Sequence, residues 1–284
     1  MQVILAVVEG LPSDRSVLHL AHLAAGDADA HIDVLSSLPE PRDSIPVVGE
    51  GLSGEIVERL MREAEEDIAK LRKNARSAYD AFLAGGQMRE AEHPDRQPGG
   101  TVCWREATGR PADVVPAEGR FADLVIAARV APPRTDSGVV EAVIFGGGRP
   151  VLMAPPDPIS AFGKRVAVFW NGSTEAARAV AAALPLLRRA EQVQVLTLNE
   201  HPGRDGGPHG LERYLAWHGI AAASRLIERD HRDAGDALLE EAQNDGADLV
   251  VMGAYTHSRL RQMILGGVTT QMLEQSPLPV LMCH

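Results

Sequence analysis

Gly253, Gly266 and Gly267, followed by Val268 and Thr269, are the residues of this chain whose types and spacing best suit a chemical task. Gly253 closes an apolar run, residues 249–252, that begins after Asp248 and has the character of a strand buried on both faces of a parallel sheet. Gly266 and Gly267 open a stretch containing Val268, Thr269, Thr270, Met272 and Leu273, whose spacing suits a short helix. Glycine where a strand gives way to a loop, and again where a helix begins, lets backbone N–H groups come close to an anion. The chemistry is recognition of a phosphate rather than the making of bonds. The bland alternative is a turn that keeps its glycines for backbone geometry alone.

Other reactive residue types give weaker signals. His201 and His209 flank glycines but bring no paired cysteine or aspartate, so no metal is expected there. His231, between Asp230 and Arg232, reads as part of a charged loop, and Tyr255 and His257 read as loop residues facing solvent or lining the phosphate site. Ser13 and Ser173 stand at helix starts, where capping explains them without a nucleophile. The chain contains no GxxxxGK sequence, nucleophile elbow or triad spacing, so it is expected not to be an enzyme. Cys103 and Cys283 fall inside predicted strands and are expected to be reduced, buried thiols, with neither a bridge nor a metal.

The elements that would position the glycines follow from the apolar pattern. Strands are predicted at 3–8, 32–35, 101–105, 122–127 and 150–153, and again at 165–170, 193–198, 221–227, 249–252 and 279–282. Helical patterns fill most of the intervals, the longest over 55–82 with apolar residues Ala64, Ile68, Leu71, Ala75, Ala78 and Phe82 on one face. Residues 141–145 are left as part of a connection. Alternation of strand and helix calls for parallel sheets with right-handed crossovers and helices on both faces. Pro155, Pro156 and Pro158 mark a linker between two halves, giving expected domains of 1–156 and 163–284.

At 284 residues the chain has room for two cores, and the net charge of -11 is spread along it. That charge argues against nucleic acid as a partner. No apolar run is long enough to span a bilayer, and the start, MQVILAVVEG, reads as a strand rather than a leader. The expected location is the cytoplasm.

Two blocks recur in the same order. FADLVIA at 121–127 matches GADLVVM at 246–252, and RPVLM at 149–153 matches LPVLM at 278–282. Such a pair indicates duplication. With VAVFWNGSTEAARAVAAALPLL at 166–187 and the glycine stretch through residue 282, the chain resembles the universal stress protein family in its tandem form. The resemblance implies two doubly wound, five-stranded parallel sheets, Rossmann-like and of the adenine nucleotide alpha hydrolase type. It also implies a nucleotide, ATP or a related adenine nucleotide with Mg²⁺ only as its companion, at the carboxyl ends of the first and fourth strands. The family's ATP-binding pattern falls on Gly253, Thr256, Gly266 and Gly267, with Asn171 and Gly172 at the end of the first strand. Thr256 replaces a glycine, Gly267 replaces a serine or threonine, and Asn171 replaces an acidic residue, while Val268 and Thr269 follow at the helix start. In the first half Glu9 keeps the acidic position, but Ala128 and Arg129 stand where the phosphate loop would begin.

The implied function is that of a stress-response regulator or sensor with a nucleotide in its second half. The alternative is a nucleotide-independent dimerisation or adaptor module with a vestigial site. The resemblance further implies that the last strands of the two halves pair as an internal pseudo-dimer, with a homodimer as a further option.

Overall fold

The computed structural model describes residues 1–26, 29–44, 54–93, 98–129, 138–199, 207–255 and 267–284. The first half runs β1 (Val3–Val8), α1 (Asp14–Ala25), β2 (His31–Leu38), a 3-10 turn (Pro41–Ser44), α2 (Gly54–Ala84), β3 (Arg89–Glu90), β4 (Thr101–Thr108), α3 (Pro111–Gly119), β5 (Leu124–Ala128), α4 (Val139–Gly146) and β6 (Val151–Ala154). The second runs β7 (Arg165–Phe169), α5 (Thr174–Leu187), β8 (Gln192–Leu198), α6 (Gly207–Trp217), β9 (Ala222–Ile227), α7 (Ala234–Asn244), β10 (Leu249–Gly253), α8 (Val268–Gln275) and β11 (Val280–Cys283).

Among the described residues, eleven strands form one sheet in the order β3-β4-β2-β1-β5-β6-β11-β10-β7-β8-β9. Each half is parallel within itself. The halves meet at β6 and β11, which pair antiparallel with Leu152 opposite Leu281. This is the pairing implied by the resemblance, and it removes two apolar sheet edges that would otherwise be open to association. The first half also has a two-residue edge strand, β3, beyond the five expected.

The strands are apolar along their length because helices cover both faces. Along β1, Ile4, Ala6 and Val8 join a core with α1 and α5, while Leu5 and Val7 join the opposite core with α4 and α7. Each core contains residues of both halves, so the layers continue across the β6/β11 seam. The long helix α2 buries only Ile68, Ala75 and Tyr79 among its described side chains. Tyr79 anchors it: the ring is fully buried beside Trp104, and its hydroxyl donates to Glu90 at 2.7 Å.

Two local expectations need correction. Residues 141–145 belong to a helix, α4, not a connection. Ser13 makes no side-chain cap on α1, whose entry is organised instead by the Asp14 carboxylate.

Candidate functional site

Strand order turns about β1 in the first half and about β7 in the second, since each has its neighbours on both sides reached by crossovers in opposite directions. Crevices outside the carboxyl ends at such points are where open α/β sheets take ligands.

In the second half, β7 leads through Trp170 into Asn171, Gly172 and Ser173. Gly172 has φ of 74°, a conformation that favours glycine. The Asn171 side-chain oxygen accepts from the Ser173 N–H at 3.1 Å, and Ser173 Oγ accepts from the Ala176 N–H at 3.1 Å. Ser173 is therefore the cap of α5. Gly253, at the end of neighbouring β10, faces this first turn: a Cβ placed on it would stand 2.5 Å from Ala176 N and 2.8 Å from the Glu175 carbonyl carbon. Glycine is required here by close approach of a helix backbone, and not by φ.

Past β10, Tyr255 takes a left-handed φ of 57° and donates its N–H to Thr269 Oγ1 at 3.2 Å. That bond ties the strand end to the first turn of α8. Gly267 is the N-cap of α8, with φ of -79° and ψ of 155°, and no side-chain hydrogen bond caps it among the described residues. Val268 is half-buried and Thr269 buried. Asn171, Gly172, Gly253, Gly267, Val268 and Thr269 thus lie at or just beyond the carboxyl ends of β7 and β10, or at the start of the helix that follows β10. Thr256, Gly266 and His257 lie outside the described residues.

The first half holds a cavity of about 410 Å³ at the matching place, lined by Glu9, Asp14, Ala128, Arg129 and Asp157 among others. Asp14 is only 2% exposed and accepts from the N–H groups of Glu9 at 3.0 Å and Gly10 at 2.8 Å. Burial raises its pKa above the ordinary aspartate value, outweighing those bonds. Gly10, at φ of 78°, lies beneath α2: a Cβ would stand 2.2 Å from the Leu71 carbonyl oxygen. Two backbone donors of this turn are spent on the chain's own carboxylate, and three acids face one arginine. A polyphosphate is poorly matched to such a lining. Sequence reasoning picked out Glu9 here and missed Asp14; the signal was an acid directly at the helix start.

Residues 163–284 match the model of the universal stress protein family. The match covers the second half of the chain, and it is that half which is similar to the family. A universal stress protein from Synechocystis is 38% identical over 48 residues, 17% of this chain and 17% of that relative's length. A universal stress protein structure from Archaeoglobus fulgidus superposes with a TM-score of 0.66 at 16% identity, covering 99% of this chain and 95% of the other. A putative universal stress protein from Pseudomonas aeruginosa gives 0.54 at 15% identity, covering 99% and 92%. At these identities the structures speak for the fold, and they do so over both halves.

The half that matches the family model reaches across to the other at its candidate site. The Tyr255 hydroxyl donates to Glu141 of α4, and its ring lies 4.7 Å from that of Phe145. Phe145 also meets His284 at 5.3 Å, whose Nδ1 lies 3.0 Å from the Ala254 carbonyl oxygen. In return Arg129, directly after β5, donates to the Glu274 carbonyl in α8. Each half's post-strand turn therefore grips the last helix of the other. Tyr255, read as a loop residue, is in fact half-buried at this junction.

Proposed function

We propose that the protein is a stress-response regulator or sensor whose second half binds ATP or a related adenine nucleotide at the carboxyl ends of β7 and β10. The observation that supports this most is the start of α8: Gly267 leaves its first turn without a side-chain cap among the described residues, beside the Gly253 turn at the switch point. Backbone N–H groups and the helix dipole there favour a phosphate. Asn171 offers a neutral amide to base or ribose, so Mg²⁺ would have to arrive with the nucleotide. The function is binding and signalling, without a catalytic step, in the cytoplasm.

The second reading, an adaptor that uses no nucleotide, draws on two other observations. Gly253 is accounted for by packing of α5, and the Thr269 hydroxyl is already engaged by the Tyr255 amide. The two are separated by adding millimolar ATP with Mg²⁺ to the purified full chain and following its melting, because a ligand of the native state raises stability. A rise supports the sensor. No shift, together with new binding in a Thr256→Gly, Gly267→Ser variant, supports the adaptor with a vestigial site.

A further inference from the structure

At the other end of the first-half sheet, the in-register pairing of β2 with β4 sets His31 opposite Thr101 and Asp33 opposite Cys103. Residues two apart on a strand share a face, so four polar side chains gather on one patch. Cys103 Sγ lies 2.9 Å from Asp33 Oδ1, and His31 Nε2 lies 3.3 Å from the same oxygen. One ligand atom from each of the three residues falls within 4.8 Å of the others. We propose that His31, Asp33 and Cys103 form a zinc site, a function independent of the nucleotide reading above.

The donor set is one thiolate, one imidazole and one carboxylate, a mixture that selects zinc over magnesium or calcium. Bond lengths of about 2.0–2.3 Å around tetrahedral zinc place neighbouring ligand atoms about 3.3–3.7 Å apart. Two of the separations already lie near that range, and shifts of no more than about 1 Å complete it. The supporting shell is in place too. His31 Nδ1 lies 2.8 Å from Thr101 Oγ1, leaving Nε2 to face Asp33. Such outer partners fix the ring orientation of metal-bound histidines. Arg105 lies 3.6 Å from the second Asp33 oxygen and is itself held by Glu118 at 2.7 Å.

Charge balances as well. The thiolate and Asp33 neutralise Zn²⁺, and Glu118 neutralises Arg105. Access is open on one side, since the His31 and Asp33 side chains remain 27% and 22% exposed while Cys103 is buried. A water completes the fourth position. Burial and the Asp33 carboxylate push the free thiol up to about 12, so binding breaks the S–H bond, forms Zn–S and releases one proton to solvent.

The test is titration of the full chain with Zn²⁺, read as stoichiometry by native mass spectrometry, and with Co²⁺, read as a near-ultraviolet thiolate-to-cobalt band. The expected result is one metal per chain and a band that survives Cys283→Ser but disappears in Cys103→Ser. Thr101→Val, which keeps all three ligands, should weaken zinc by about tenfold or more. Folding of each variant is followed by circular dichroism, and His31→Gln serves in place of Cys103→Ser where the latter does not fold. A wild-type chain without the band, or zinc held undiminished by folded His31→Gln, overturns the proposal and leaves surface histidines as the binders.

Discussion

The hydroxyl of Tyr255, at the candidate site of the second half, donates to the Glu141 carboxylate of the first. Tyr255 thus links the end of β10 to α4 across the seam. Tyr255→Phe removes one hydrogen bond to a charged acceptor at a half-buried position and should cost about 1–2 kcal/mol. Tyr255→Ala also gives up the ring contact with Phe145 and should cost more. Urea unfolding of the two variants checks the order, and a Glu141→Ala background should abolish the difference between Tyr255 and Phe.

Gly253→Ala drives a methyl group to 2.5 Å from Ala176 N, and overpacking of this kind costs about 1–3 kcal/mol. Gly10→Ala should cost more than Gly253→Ala. It combines a Cβ 2.2 Å from the Leu71 carbonyl oxygen with a φ of 78° that side chains resist. The order of the two melting temperatures is the measurement.

Tyr79→Phe should lower stability by about 1 kcal/mol through loss of the Glu90 bond, whereas Tyr79→Ala should lower it by about 3–5 kcal/mol. Tyr79 is among the few buried side chains of α2, so hydrogen exchange in Tyr79→Ala should rise along that helix first.

Much of this was legible in the sequence, for local reasons. The apolar run at 249–252 announces a strand covered on both faces, and the repeated Ala-Asp pairs at 122–123 and 247–248 mark duplicate positions. Asp123 accepts the N–H groups of Gln2 and Val3, and Asp248 those of Lys164 and Arg165, so each repeat pins the start of its half's central strand. Helix α4 was missed because its eight residues are too few to show a period and are mostly apolar. Asp14, Gly10 beneath Leu71, and Cys103 beside Asp33 owe their roles to residues four to seventy positions away. Spacing along the chain shows no register between strands.

Asp123 also carries a pH signature. Its bond from the Gln2 N–H, then that from Val3 and the charges of the N-terminus and Arg149, hold its pKa below the ordinary aspartate value against the opposing effect of burial. As pH falls, the unfolded chain takes up the proton first. The stabilisation is therefore full above the ordinary value, about 4, and is lost as pH falls through the lower folded value. Asp123→Asn should be less stable than wild type at pH 7, with the gap closing below about pH 4. Denaturant midpoints across pH 2–7 report it.

The central claim is that the start of α8 receives a nucleotide phosphate. The most direct measurement is calorimetric binding of ATP with Mg²⁺ to the full chain and to Gly267→Asp, whose carboxylate would occupy the same N–H groups. The backbone at Gly267 is extended, a conformation open to aspartate, and exchange of glycine for aspartate at an N-cap alters stability by about a few tenths of a kcal/mol. One ATP bound per wild-type chain, and none by the folded variant, is the predicted result. Equal binding by both, or none by the wild type, contradicts it.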